Sequence, residues 1–223
     1  MAIISLRLAG MEGSECPVKA AYHHLHPHFL GNVAYIDIEF DFTPGKEIQF
    51  FNNLNRAITE LENGKLRDFR RFTVIIVDHS DPLSGCLHTM PGNQGSTNIS
   101  DLFEHLFTPR FRAVLGRHED NVLLLLACGG VVNVTEARKE LATMHLFATI
   151  VAFTHTAFVP WFAQEFIANF LQNRFVYKKH TPKAICLEEA TQQRWSSQDF
   201  TGPILDFVHW VPLFHFNVLL ANA

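Results

Sequence analysis

The chain has 223 residues, a length for one domain or at most two small ones. Hydrophobic residues make up 48% and charged ones 18%, which excludes a disordered chain and allows a large core. With Lys+Arg 18 against Asp+Glu 22 the formal charge is -4, which argues against nucleic acid as a partner because phosphate binding needs a basic surface.

No apolar run approaches the roughly 20 residues of a membrane span, so no membrane partner is expected. Cys16, Cys86, Cys128 and Cys186 form no CxxC pair and no zinc-finger spacing. The first ten residues lack the apolar core and cleavage site of a secretory signal. Together these set the expectation of a reducing, cytoplasmic compartment with no disulfide scaffold, cofactor or metal.

Residues 1–32 hold Gly10, Gly13, Pro17, Pro27 and Gly31 without a sustained period, and read as an irregular N-terminal segment. A single domain is then expected over 33–223. Val33–Phe42 alternates, with Ala34, Ile36, Ile38, Phe40 and Phe42 on one face, which predicts a strand. Thr43 is expected to cap the next helix, with Pro44 at its first position. Lys46–Glu62 places Ile48, Phe51, Leu54, Ile58 and Leu61 at helical spacing, and Asn63-Gly64 stops it.

Phe72–Val77 is a short β-branched run, the mark of a parallel strand buried on both faces. A polar loop with Pro82, Gly85, Pro91, Gly92 and Gly95 follows. Ser100–Phe107 is read as a helix, Val122–Ala127 as a second buried strand, Glu136–His145 as a helix and Phe147–Phe153 as a third buried strand. Trp161–Phe175 is read as a helix. Beyond it, Ile185–Gln193 is expected to be helical and Phe207–Val218 to hold a last strand broken by Pro212. The alternation predicts an α/β protein: a three-layer α/β/α sandwich around a mostly parallel sheet.

Functional groups in open α/β sheets gather at the carboxyl ends of strands. His79 follows the run ending at Val77, and Cys128 follows the run ending at Ala127, 49 residues later. A thiolate is a strong nucleophile, and an imidazole can pass its proton to a leaving amine. The segment NVLLLLACGG resembles the apolar strand ending in Ala-Cys-x-Gly of caspase-like cysteine peptidases. FTVIIVDHSDPLSGCLHT resembles their earlier strand ending in His, which in caspases lies about 50 residues upstream of the Cys. FATIVAFTHTAFVPWFAQEFIANFLQNRFV is similar to the strand–loop–helix that follows the nucleophile in CHAT domains, a branch of the same superfamily.

The resemblance spans Val33 to Phe175 and implies a caspase/CHAT-like fold and a cysteine endopeptidase. Cys128 would attack the scissile carbonyl and His79 would protonate the leaving amine. The backbone N–H groups of Cys128 and Ser80 would hold the oxyanion, and Gly129 and Gly130 would let backbone and substrate approach closely. The expected partners are a protein or peptide substrate and a regulatory protein or domain. The family usually carries Gly after the His, where this chain has Ser80, and the flanks of Cys128 depart from the metacaspase pattern. The alternative is therefore a catalytically inactive CHAT-like scaffold or signalling module. A small α/β hydrolase or transferase is disfavoured, since no GxSxG elbow or Gly-rich phosphate loop is present.

Other residues have plainer readings. Cys86 and His88 compete with His79 inside one loop but follow no strong strand. Alternating histidines among His23, His24, His26 and His28 could ligate zinc from one side of an extended segment, but no carboxylate or Cys is close in sequence and Pro27 interrupts them, so a solvated or partly packed loop is expected; His155, which could line the substrate cleft, is expected in a packed loop. The many Phe residues are expected to pack helices on the sheet. Lys178-Lys179-His180 reads as a solvated helix end. Arg70, Arg71, Arg110, Arg112, Asp78 and Asp81 are the charged candidates for a specificity pocket.

Overall fold

The computed structural model describes residues 1–11, 16–117, 120–127, 130–153, 160–178 and 208–212; residues 160–162 and 208–212 are described by their backbone alone. Strands are β1 (Ala2–Leu8), β2 (Ala34–Phe40), β3 (Phe72–Val77), β4 (Leu87–Met90), β5 (Gln94–Thr97), β6 (Val122–Leu126), β7 (Thr149–Phe153) and β8 (Val208–Pro212). Helices are α1 (Pro17–Leu25), α2 (Glu47–Asn63), α3 (Ile99–Leu106), α4 (Pro109–Leu115), α5 (Gly130–Asn133), α6 (Thr135–Ala142) and α7 (Pro160–Leu171). The main sheet has the order β2-β1-β3-β6-β7-β8, with the first five strands parallel and β8 antiparallel to β7. β4 and β5 form a separate antiparallel hairpin.

The two-residue period of the strands sorts the core into two halves. Ile4, Val74, Leu123 and Ile150 lie in register across the sheet and face α2, α3, α4 and α6. Ile75, Leu124 and Val151 face the other way, onto α1 and α7. This gives helix, sheet and helix layers. Burial of each such Leu or Ile contributes about 1.5–3 kcal/mol, so both faces must be covered for the sheet to persist. No helix among the described residues is long and apolar enough to cross a membrane.

The reading of residues 1–32 as irregular is corrected. Ala2–Leu8 is a strand at the heart of the sheet, paired with β2 on one side and β3 on the other. Ala2, Ile3, Ile4, Leu6 and Leu8 are buried, so both of its faces are apolar and the alternation that marks a half-exposed strand is missing. Arg7 is the charged exception, and it reaches Asp37 and Glu39 on the neighbouring strand β2. α1 follows, with Pro17 in its first turn and Val18, Ala21 and Leu25 on its buried side.

Thr43 does not cap α2. Its N–H donates to Asp41 Oδ1, Gly45 turns the chain at φ 89, and the helix begins at Glu47. The cap occurs instead at Thr108, whose side chain accepts from the Phe111 N–H ahead of the unpredicted helix α4. Leu87–Thr97, read as loop, holds the β4–β5 hairpin. The predicted helix over Ile185–Gln193 lies outside the described residues, and of Phe207–Val218 the structure describes β8.

Candidate active site

β3 and β6 are neighbours, parallel, with Val77 opposite Leu126. The ladder runs one step further, since the Asp78 N–H donates to the Leu126 carbonyl at 3.1 Å. His79 stands two residues beyond Val77, and Cys128 stands two residues beyond Leu126. Cys128 and Gly129 lie outside the described residues, while their flanking residues Ala127 and Gly130 are placed and buried.

The loop after β3 is a tight hairpin. The Asp81 carboxylate accepts from the N–H groups of Leu83 and Ser84 and from the Ser84 hydroxyl, which turns the chain. The backbone N–H and hydroxyl of Ser84 hold that carboxyl below its usual range. The chain then runs back beside itself: Asp81 N–H donates to Cys86 O at 2.8 Å, and His88 N–H to His79 O at 3.2 Å. Ser80 faces Leu87 in this ladder. His79 is thus held through its carbonyl, and its N–H donates to Asp78 Oδ1 at 2.6 Å.

Asp78 is fully buried beneath this turn. Burial pushes its carboxyl well above the usual carboxylate range, against the opposing hydrogen bonds from the backbone of His79 and His88. His79 is half-buried, and its ring meets His88 edge-on with centroids 6.5 Å apart. Burial first, and the charge of His88 second, lower the His79 pKa. Both favour the neutral imidazole, the form able to accept a proton and return it.

Glycines weld this turn to the segment that follows Cys128. A Cβ on Gly130 would lie 2.4 Å from the Asp81 carbonyl oxygen and 3.0 Å from Ser80 Oγ. A Cβ on Gly85, itself at φ 72, would lie 2.6 Å from Ala137 Cβ and 2.8 Å from the Gly130 carbonyl oxygen. The close approach needs both residues to lack a side chain. Gly130 was expected to serve the approach of backbone and substrate; the described contact is with Ser80 and Asp81.

Of the competing residues, Cys86 is half-buried on the same hairpin with a free thiol, and His88 directs Nδ1 toward the Gly95 carbonyl at 3.4 Å. The charged candidates divide. Asp78 and Asp81 stand at the His79 edge, but Arg70 and Arg71 precede β3 at the opposite end of the strand. Arg71 stacks over Phe175, Arg110 pairs with Glu62 near the end of α2, and Arg112 donates to the Phe107 carbonyl. His155, Lys179 and His180 lie outside the described residues. His23, His24, His26 and His28 are exposed on α1 and the 3-10 turn after it, and not in a loop.

No family model and no curated protein matches this chain. Among solved structures it is similar to an inactive zymogen of a C11 protease from Parabacteroides distasonis, at 11% identity and a TM-score of 0.42. The alignment covers 88% of this chain and 58% of that one, so the chain spans less than two thirds of that protein. At this level the likeness assigns no role to any residue.

Proposed function

We propose that the chain is a cysteine endopeptidase of the caspase-like superfamily, CHAT-related, with His79 and Cys128 as its dyad. The observation that carries the reading is the meeting of two strand ends. β3 and β6 finish in register at one sheet edge, and the glycine contact joins the His79 turn to the residue two beyond Cys128. The motif resemblance supplies the chemistry. His79 takes the Cys128 proton, and the thiolate attacks the scissile carbonyl. The oxyanion is held by backbone N–H groups of Cys128 and Ser80. The C–N bond breaks as His79 protonates the leaving amine, and water then cleaves the thioester. The substrate is a protein or peptide, and a regulatory protein or domain would control access.

One observation favours the second reading, an inactive scaffold of the same fold. Ser80 stands where the family has Gly and is only 6% exposed, which leaves little room for an oxyanion at its backbone. The two readings separate by pH-dependent alkylation with mass spectrometry at each cysteine, beside a peptide-library assay of wild type, Cys128→Ala and His79→Ala. The peptidase reading expects Cys128 to alkylate well below the ordinary thiol pKa of about 8.5. It also expects cleavage that both substitutions abolish. Ordinary thiol reactivity with no cleavage overturns the peptidase reading for this chain on its own, and leaves the scaffold or a domain activated by a partner as the better account.

A further inference from the structure

The four histidines of AYHHLHPHFL are separated by the fold into different faces. His24 lies on α1 and His28 on the 3-10 turn that continues it, four residues on, and their ring centroids are 5.9 Å apart. Both Nε2 atoms reach one carboxamide from the far side of the chain. His24 Nε2 is 3.2 Å from Gln172 Oε1, and His28 Nε2 is 3.5 Å from Gln172 Nε2. Gln172 opens a π-helical turn after α7, and α1 packs along α7. Its carboxamide is itself oriented, because Nε2 donates to Tyr177 OH at 3.0 Å, and the Tyr177 N–H closes the turn by donating to the Gln172 backbone carbonyl at 3.0 Å.

From this convergence we infer a divalent transition-metal site in which His24 and His28 bind through Nε2 and Gln172 Oε1 is a third, weaker donor. Two imidazoles on a tetrahedral ion at about 2.1 Å have centroids roughly 5.3 Å apart, and neighbouring donor atoms stand about 3.4 Å apart. The observed 5.9 Å between the rings and 3.2 Å from His24 Nε2 to Oε1 lie close to those values, and the carboxamide would turn on binding, because it now presents Nε2, not Oε1, to His28 at 3.5 Å. Among the described residues no third His, Cys, Asp or Glu joins them, so water completes the shell. Two imidazoles and a carboxamide select Zn²⁺, Ni²⁺ or Cu²⁺ over Mg²⁺ and Ca²⁺, which prefer all-oxygen shells. The ion would tie the end of α1 to the end of α7, which adjoin in space but lie far apart in the chain. The site is remote in sequence from His79 and Cys128 and does not depend on their activity.

The test is a titration of the full chain with Ni²⁺ and with Zn²⁺ against a chromophoric chelator, with thermal melting alongside. The expected result is one saturable ion that raises the melting temperature. His24→Ala and His28→Ala should each weaken binding by more than the roughly 10–100-fold that outer-shell mutations cost. His23→Ala and His26→Ala should leave it intact, and Gln172→Ala should weaken it less than either ligand. All four histidines are exposed, so these variants fold, and each melting curve without metal checks it. Equal weakening in all four histidine variants, binding that survives in His24→Ala, or no saturation overturns the site.

Discussion

Gly130→Ala tests whether the turn bearing His79 is docked on the segment after Cys128. The added Cβ would stand 2.4 Å from the Asp81 carbonyl oxygen. An ordinary carbon–oxygen contact is about 3.3 Å, so either the turn or the start of α5 must move by roughly 0.9 Å. Overpacking of this kind costs about 1–3 kcal/mol. Alanine's helix preference returns less than the roughly 1 kcal/mol of a helix interior, because Gly130 is only the first residue of a four-residue helix. A chain of this size loses about 2–4 °C of melting temperature per kcal/mol, so a drop of a few degrees is expected. The effect on chemistry is larger. A displacement near 1 Å in a catalytic constellation costs on the order of 10²-fold, which a cleavage assay or the alkylation rate of Cys128 would read. The obstacle is a backbone carbonyl, so trimming the second neighbour in the double variant Ser80→Ala/Gly130→Ala should not restore either property. An unchanged melting temperature, or full rescue by Ser80→Ala, would refute the docking.

Two further outcomes follow from the buried groups around the turn. Asp78 has a folded-state pKa raised by burial, so its contribution to stability is present below the unfolded pKa of about 3.9 and is lost as pH rises through the folded value. Asp78→Asn keeps an acceptor for the His79 N–H but cannot ionise. Its urea midpoint relative to wild type should therefore be more favourable at pH 7 than at about pH 3.5; no difference between the two would show an unshifted Asp78, and the reverse ordering a lowered one, and either refutes the burial argument. For His79, burial lowers the pKa first and His88 second, so His88→Gln should move the His79 titration upward only part of the way to its ordinary value. NMR of the His79 ring reads this, and an unmoved titration would remove His88 as a cause.

The fold was legible where burial on both faces writes itself into composition. Phe72–Val77, Val122–Leu126 and Thr149–Phe153 are short runs of apolar and β-branched residues without a charge, and their order already implies a mostly parallel sheet. β1 carries the same signature in AIISLRL, but Ser5 and Arg7 interrupt it. Arg7 makes sense only beside Asp37 and Glu39, residues about thirty positions away. The dipeptide Thr-Pro shows the limit of local signals. At Thr43 it is followed by Gly45 with positive φ, and the helix starts later; at Thr108 it is followed by Arg110 and Phe111, and it caps α4.

The candidate site divides along the same line. His79 at a strand end is a local fact, and the parallel pairing of β3 with β6 gives it meaning. Gly85 reads in sequence as a loop residue and Gly130 as a place for backbone and substrate to approach, because nothing in sequence says that two backbones 45 residues apart will touch. The histidine run makes the converse point. On an extended segment alternate histidines would share a face, which groups His24, His26 and His28. The helix instead pairs residues four apart, and so selects His24 with His28 and leaves His26 against Tyr22. Residue type thus names a candidate chemistry, and the secondary structure decides which of several identical side chains stand together.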